Sequence, residues 1–174
     1  MQKSLPFWQF SGFVFTGVVG TLLHFLYEWL NITVVALFSA VNESVFEHMK
    51  LLFFPMFVFS IIESRYFSKY YKNFWQTKLF GTLVGLTVIP TLYYTYTGAL
   101  GVSADWFNIT IFFISAAISY FVETKLLKKY KKHLISSKLA FIILIVIMLA
   151  FFIFTFIQPK IPLFQDPVTY QFGM

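Results

Sequence analysis

Cysteine is absent from the 174 residues. That excludes disulfides, iron–sulfur clusters, thiolate metal ligands and a cysteine nucleophile. Charge is scarce too: 11% of the residues are Asp, Glu, Lys or Arg, against roughly 25% in an ordinary soluble domain. Only seven are acidic, and histidine occurs three times, at His24, His48 and His133. There is no internal repeat and no low-complexity segment, and the length leaves no room for a soluble catalytic module beside a membrane part.

What fills the chain instead is apolar: 59% of residues are hydrophobic and 22% aromatic. A water-soluble protein of 20.4 kDa has too much surface for its volume to hide that much Phe, Leu and Ile. The sequence therefore reads as an all-α integral membrane protein, a single domain over residues 1–174. A helix crossing the hydrocarbon core needs roughly 20 apolar residues. About five transmembrane helices are expected, near residues 7–30, 44–63, 79–100, 106–123 and 139–157, followed by a tail over 158–174. The first run is too long for a signal-peptide core and lacks a small-residue cleavage site, so it reads as a retained span. The tail holds Pro159, Pro162 and Pro167 and cannot be helical; its apolar residues predict that it folds back over the ends of the spans.

The basic residues set the orientation. Lys3, Arg65, Lys69, Lys72, Lys78, Lys125, Lys128, Lys129, Lys131, Lys132 and Lys138 fall on one side, leaving Lys50 and Lys160 on the other, eleven against two. By the positive-inside rule the larger group is cytoplasmic, with the N-terminus cytoplasmic and the C-terminus outside. The net charge of +6 then belongs to loops facing anionic headgroups, which points to membrane lipid and not to nucleic acid. Residues 33–62 form the difficult stretch, because as one helix they would be about 45 Å long. A short interfacial or re-entrant helix over 33–40, a turn near Asn42 and a second span from Ser44 resolve it.

The costly residues collect around that turn. His24 and Glu28 lie one helical turn apart near the outer end of the first span. Glu43, Glu47 and Lys50 form a second stripe, His48 lies on an adjoining face, and Asp166 of the tail is placed to close over them. Carrying an unpaired Glu or Lys into hydrocarbon costs about 2.5–3.5 kcal/mol on insertion scales. Such a group is tolerable if its members pair, coordinate a cation or line a wet cavity. Three readings follow. His24, Glu47 and His48, with Glu43 or Glu28, bind a divalent metal, which could activate water for hydrolysis; no His-Glu-x-x-His spacing is present. The group of His24, Asn42, Glu43, Glu47, His48, Lys50 and Asp166 binds a cation, a proton or a small polar headgroup in transport or an accessory role. Or Glu43, Glu47, Lys50 and His24 form a structural lock with no chemistry. Elsewhere, Glu63 with Arg65 and Glu123 with Lys125 or Lys128 are expected as interfacial ion pairs. Gly12, Gly17 and Gly20 are expected to permit close helix packing.

The segment Phe38-Ser-Ala-Val-Asn-Glu-Ser-Val-Phe-Glu-His-Met-Lys50, with Ile161-Pro-Leu-Phe-Gln-Asp-Pro167, resembles a group of small multi-pass membrane proteins of bacteria with no established activity. The resemblance covers the whole chain and implies a bacterial plasma membrane, with other membrane proteins as the available partners. Intramembrane hydrolases of the ceramidase and progestin-receptor type carry a multi-histidine pattern that three histidines do not supply. Small substrate-binding subunits of vitamin transporters are similar in size and hydrophobicity alone.

Overall fold

The computed structural model describes residues 4–129 and 135–173. Lys3, Lys131, Lys132 and His133 lie outside the described residues. The helices are α1 (Leu5–Leu30), α2 (Thr33–Ala36), α3 (Val45–Phe67), α4 (Phe74–Leu100), α5 (Asp105–Lys128) and α6 (Ser137–Phe156), with a 3-10 turn at Pro162–Phe164. Among the described residues there is no strand, only an isolated bridge between Gln165 and Phe172. Five helices, all but α2, are long and apolar enough to cross a membrane.

Local chemistry sets the helix ends. Pro6 opens α1, where its missing N–H costs nothing. Asn31 closes α1 in the left-handed region, φ 49°, with its N–H on the Tyr27 carbonyl, a conformation Asn tolerates better than most residues. Ser44 caps α3 by accepting the N–H of Glu47, the Ser-x-x-Glu signature of a helix start. Gly101 ends α4 at φ 71°.

In the packing, α1, α3, α4 and α5 close a four-membered ring, and α6 lies outside it against α3 and α4. Burial places α3 at the centre: 72% of its most apolar stretch is buried, against 22% for α1 and α6. The rest of α6 is left to lipid, in keeping with its mean hydropathy of 3.2. Small residues let the ring close. A Cβ on Gly12 would lie 2.5 Å from Tyr120 and 2.7 Å from Phe59, and one on Gly20 would lie 2.5 Å from Phe112 and 3.0 Å from the Leu51 carbonyl. The helices approach closely because nothing projects there.

Three expectations are corrected. Glu63 and Glu123 do not pair with Arg65 or with Lys125 and Lys128; both turn into the ring and meet Lys78, Nζ 2.5 Å from each carboxylate. Lys78 is not a loop residue, because α4 begins at Phe74 and carries it, fully buried, to the inside. The helix after α1 is also shorter than 33–40: it stops at Ala36, because Ser39 is tied to α1. The two ends of the bundle are called below the basic end, holding the α3–α4 and α5–α6 connections, and the tail end.

Candidate functional site at the tail end

The chain leaving α1 doubles back onto it. The Ser39 hydroxyl accepts the Tyr27 N–H at 2.8 Å and donates to the Leu23 carbonyl, standing between a pair of groups that an uninterrupted helix joins directly. The Ala40 N–H adds a bond to the same carbonyl, 3.3 Å. This clamp brackets His24. Beyond it, Asn42 Oδ1 accepts the Ser44 N–H at 2.9 Å, and Asn42 Nδ2 donates to the Gly173 carbonyl of the tail at 2.9 Å. Asp166 accepts the Glu43 N–H through Oδ2, 3.2 Å, and the N–H groups of Val168 and Thr169 through Oδ1, 2.7 and 2.9 Å. Burial works against its ionisation, but the N–H groups of Thr169, Glu43 and Val168 outweigh it and hold the carboxyl below the usual carboxylate range. The tail thus fixes the backbone of Glu43 from one side and Asn42 fixes the turn from the other.

Held this way, the half-exposed Glu43 side chain sits between two imidazoles. Its Oε1 is 3.6 Å from His24 Nε2 and its Oε2 is 3.7 Å from His48 Nε2. The two rings are 5.5 Å apart, and one ligand-type atom from each residue lies within 4.8 Å of the others. Those separations are too long for hydrogen bonds. The two carboxylate–imidazole distances sit a few tenths of an ångström above the roughly 3.3–3.5 Å between ligand atoms around a tetrahedral zinc-sized ion. His48 Nδ1 lies 2.9 Å from the Ser44 carbonyl. A carbonyl only accepts, so Nδ1 carries a proton, and a ring protonated there alone turns a lone pair on Nε2 toward the carboxylate. An imidazole lone pair and a carboxylate oxygen facing each other leave a place for a cation or a proton between them, and the Ser44 carbonyl behind Nδ1 fixes the orientation of the ring.

Glu47 and Lys50 do something else. Glu47 Oε2 is 2.6 Å from Lys50 Nζ, and both side chains have no exposed surface. Lys50 also donates to the Ala36 carbonyl at 2.7 Å and to Thr155 Oγ1 at 3.2 Å, while Glu47 accepts the Val41 N–H at 3.2 Å. The pair ties α3 to α2, to α6 and to the turn. Of the set expected from sequence, His24, His48 and Glu43 come together, and Glu47 does not join them. Adjacent residues on a helix point about 100° apart, and Lys50, one turn on, holds Glu47 on its own side. Glu28 is exposed and is not among the three groups that converge.

A family model, described as a family of unknown function (DUF6512), matches residues 1–174. The chain belongs to this family. No curated protein and no solved structure matches it.

In this DUF6512 protein both imidazoles also face a cavity of about 100 Å³, lined besides by Gly20, Thr21, Leu51 and Phe112. Pro55 has no N–H to give the Leu51 carbonyl, which lies in that wall beside Gly20. A second space of about 20 Å³ lies against Glu43, His48, Tyr93 and Asn108. A larger lateral cavity of about 330 Å³ between α3, α4 and α6 is walled by Phe46, Leu86, Phe151 and similar residues and has no ionisable group in its lining. Ser39 and Lys78 were not expected as structural centres. Lys78 was findable, as an ionisable residue at the edge of an apolar run; Ser39 had no signal.

Proposed function

We propose that this DUF6512 protein is a multi-pass protein of the bacterial plasma membrane that binds one divalent transition-metal ion at His24, Glu43 and His48. In this reading the basic end is cytoplasmic, the site lies on the outer face, and the protein acts in cation handling, by transport or as an accessory. Two imidazoles and one carboxylate are a ligand set suited to zinc, manganese or iron. Asn42 and Asp166 position Glu43, and the Glu47–Lys50 pair holds the wall behind. The observation that supports the reading most is the Nδ1 contact of His48 with the Ser44 carbonyl, which occupies Nδ1 and turns Nε2 toward Glu43. Surrounding lipid, and other membrane proteins, are the partners that fit a chain with so little outside the bundle.

A metal-dependent intramembrane hydrolase is the second reading. It is favoured by the cavity of about 100 Å³ that both imidazoles share with apolar walls, and by a three-ligand set, which leaves a position for water.

Metal content of the detergent-purified protein, read by mass spectrometry after loading with Zn or Mn, tests the site. Wild type should hold about one ion per chain, and Glu43→Gln and His48→Ala should lose it while remaining folded. A wild-type protein that takes up neither metal sinks both readings.

A further inference from the structure

The basic end carries a second group of charges that the proposed metal site does not use. Lys78 on α4 stands between Glu63 on α3 and Glu123 on α5, with Nζ 2.5 Å from Oε2 of each. Gln9 on α1 donates to Glu63 Oε1 at 2.7 Å. All four ring helices contribute, and none of the three charged side chains is more than 1% exposed. The rings of Phe74 and Tyr120 close over the ammonium at 5.4 and 5.7 Å. Tyr120, the other titratable group there, has its hydroxyl 2.9 Å from Thr16 Oγ1, and α6 brings only the exposed Lys138.

Fully ionised, this group holds two negative charges and one positive, a net −1 with no solvent contact. An uncompensated buried carboxylate normally takes up a proton or recruits a cation. The two carboxylates are not equivalent. Both oxygens of Glu63 face a positive or donor group: Oε1 accepts from the Gln9 amide, and Oε2, which has no hydrogen-bond partner, lies 2.5 Å from the Lys78 ammonium. Glu123 Oε1 is buried with no hydrogen-bond partner, and it lies 2.8 Å from where a Cβ on Gly81 would be, so the absence of a side chain at Gly81 makes the space it occupies. Glu123 is five residues from the end of α5 at Lys128, about 7.5 Å along the helix, and Lys78 is a similar distance inside α4. The group is therefore buried but shallow, close to the aqueous face at the basic end.

We infer that Glu63, Lys78 and Glu123 form a proton-binding site within the bundle that carries one exchangeable proton, held at Glu123. With the proton the group is neutral; without it the bundle encloses a net negative charge that the four ring helices must accommodate. The site is separate from the metal site in residues and in location, and it stands or falls without it.

Infrared difference spectra of the protein in lipid vesicles, recorded on perfusion between neutral and alkaline buffer, test this. Wild type should show one protonated carboxylic acid band that shifts in D₂O, shifts with ¹³C-labelled Glu, and disappears on alkalinisation. Glu123→Gln, isosteric with the protonated acid, should lose that band and keep the melting temperature of the wild type, while Glu43→Gln keeps the band. The wild-type spectra decide whether the proton exists even where a variant does not fold. Absence of any such band, or a band lost in Glu63→Gln and kept in Glu123→Gln, overturns the assignment. So does stabilisation by Na⁺ over choline at equal ionic strength without a carboxylic acid band, which makes the occupant a metal cation.

Discussion

Replacing Lys50 by Met separates support from site at the tail end. Lys50 Nζ spends its three hydrogens on Glu47 Oε2, the Ala36 carbonyl and Thr155 Oγ1, at 2.6, 2.7 and 3.2 Å. Met fills a similar volume but leaves Glu47 buried beside no cation and unties α2 and α6. Breaking one side of a buried ion pair costs about 3–5 kcal/mol. A chain unfolded within a membrane or micelle still finds partners for its polar groups, so the low end, about 3 kcal/mol, is the expected loss. That is a factor of roughly a hundred in the unfolding equilibrium, at about 1.4 kcal/mol per tenfold. Removing both charges, in Glu47→Gln/Lys50→Met, leaves no uncompensated ion, and stability should return to within about 1–2 kcal/mol of wild type. Equilibrium unfolding in mixed micelles gives the cycle, and metal content is read on the same samples. The double variant should bind the ion as wild type does, since His24, Glu43 and His48 are untouched. Costs that add to within about 0.5 kcal/mol would refute the pairing. A folded double variant that has lost the metal would return Glu47 to the ligand set.

Two further outcomes are expected. The Asp166 carboxyl ionises more readily in the folded protein than its ordinary value of 3.8, so its contribution is complete above that value and is lost as the pH falls through the lowered one; the melting temperature of wild type should fall on acidification through that range, and Asp166→Asn should be lower at neutral pH and flatter in acid. An Asn variant with the wild-type acid response would show that the tail is held by something else. The cysteine-free background also makes orientation readable: with a membrane-impermeant maleimide on intact cells, Val168→Cys should be labelled and Lys72→Cys should not, and the reverse pattern would put the metal site on the cytoplasmic side.

The sequence made the transmembrane helices legible through length and hydrophobicity, because an unpaired backbone in lipid forces each apolar run to close its own hydrogen bonds. The turn at Asn42 was legible because residues 33–62, about 45 Å long as one helix, cannot stand as one upright span. Glu43 was placed on a helical stripe with Glu47 and Lys50, yet α3 begins only at Val45, and the Ser-x-x-Glu cap was the available signal. Glu43 is therefore free of the helix and reaches the imidazoles. The pairs Glu63–Arg65 and Glu123–Lys125 fail for a reason already contained in helix geometry: residues two apart point about 200° from each other and do not face. What no local pattern supplies is that Lys78 meets Glu123, 45 residues away, because that contact depends on how the ring closes.

The two polar groups lie at opposite ends of the same helix. His48 and Glu63 are 15 residues apart on α3, about 22 Å of rise. Between them the ring is filled by Leu52, Met56, Phe59, Ile89 and Ala116, all buried. The contacts of Gly12 with Phe59 and of Gly20 with Phe112 clamp α1 over that plug. The polar side chains along this stretch are already bonded, Thr16 with the Tyr120 hydroxyl at 2.9 Å and Ser60, Ser115 and Ser119 with carbonyls of their own helices, so the energetic penalty of intramembrane charge applies to an ion there as it does to a side chain. The packing in this conformation therefore opposes conduction through the ring. Any passage of a cation between the ends requires α1 or α5 to move away from the glycine contacts, opening the packing that now holds the bundle closed. Under the two proposals, an ion held at one face and a proton held near the other need no such opening, and this favours binding in an accessory role over conduction.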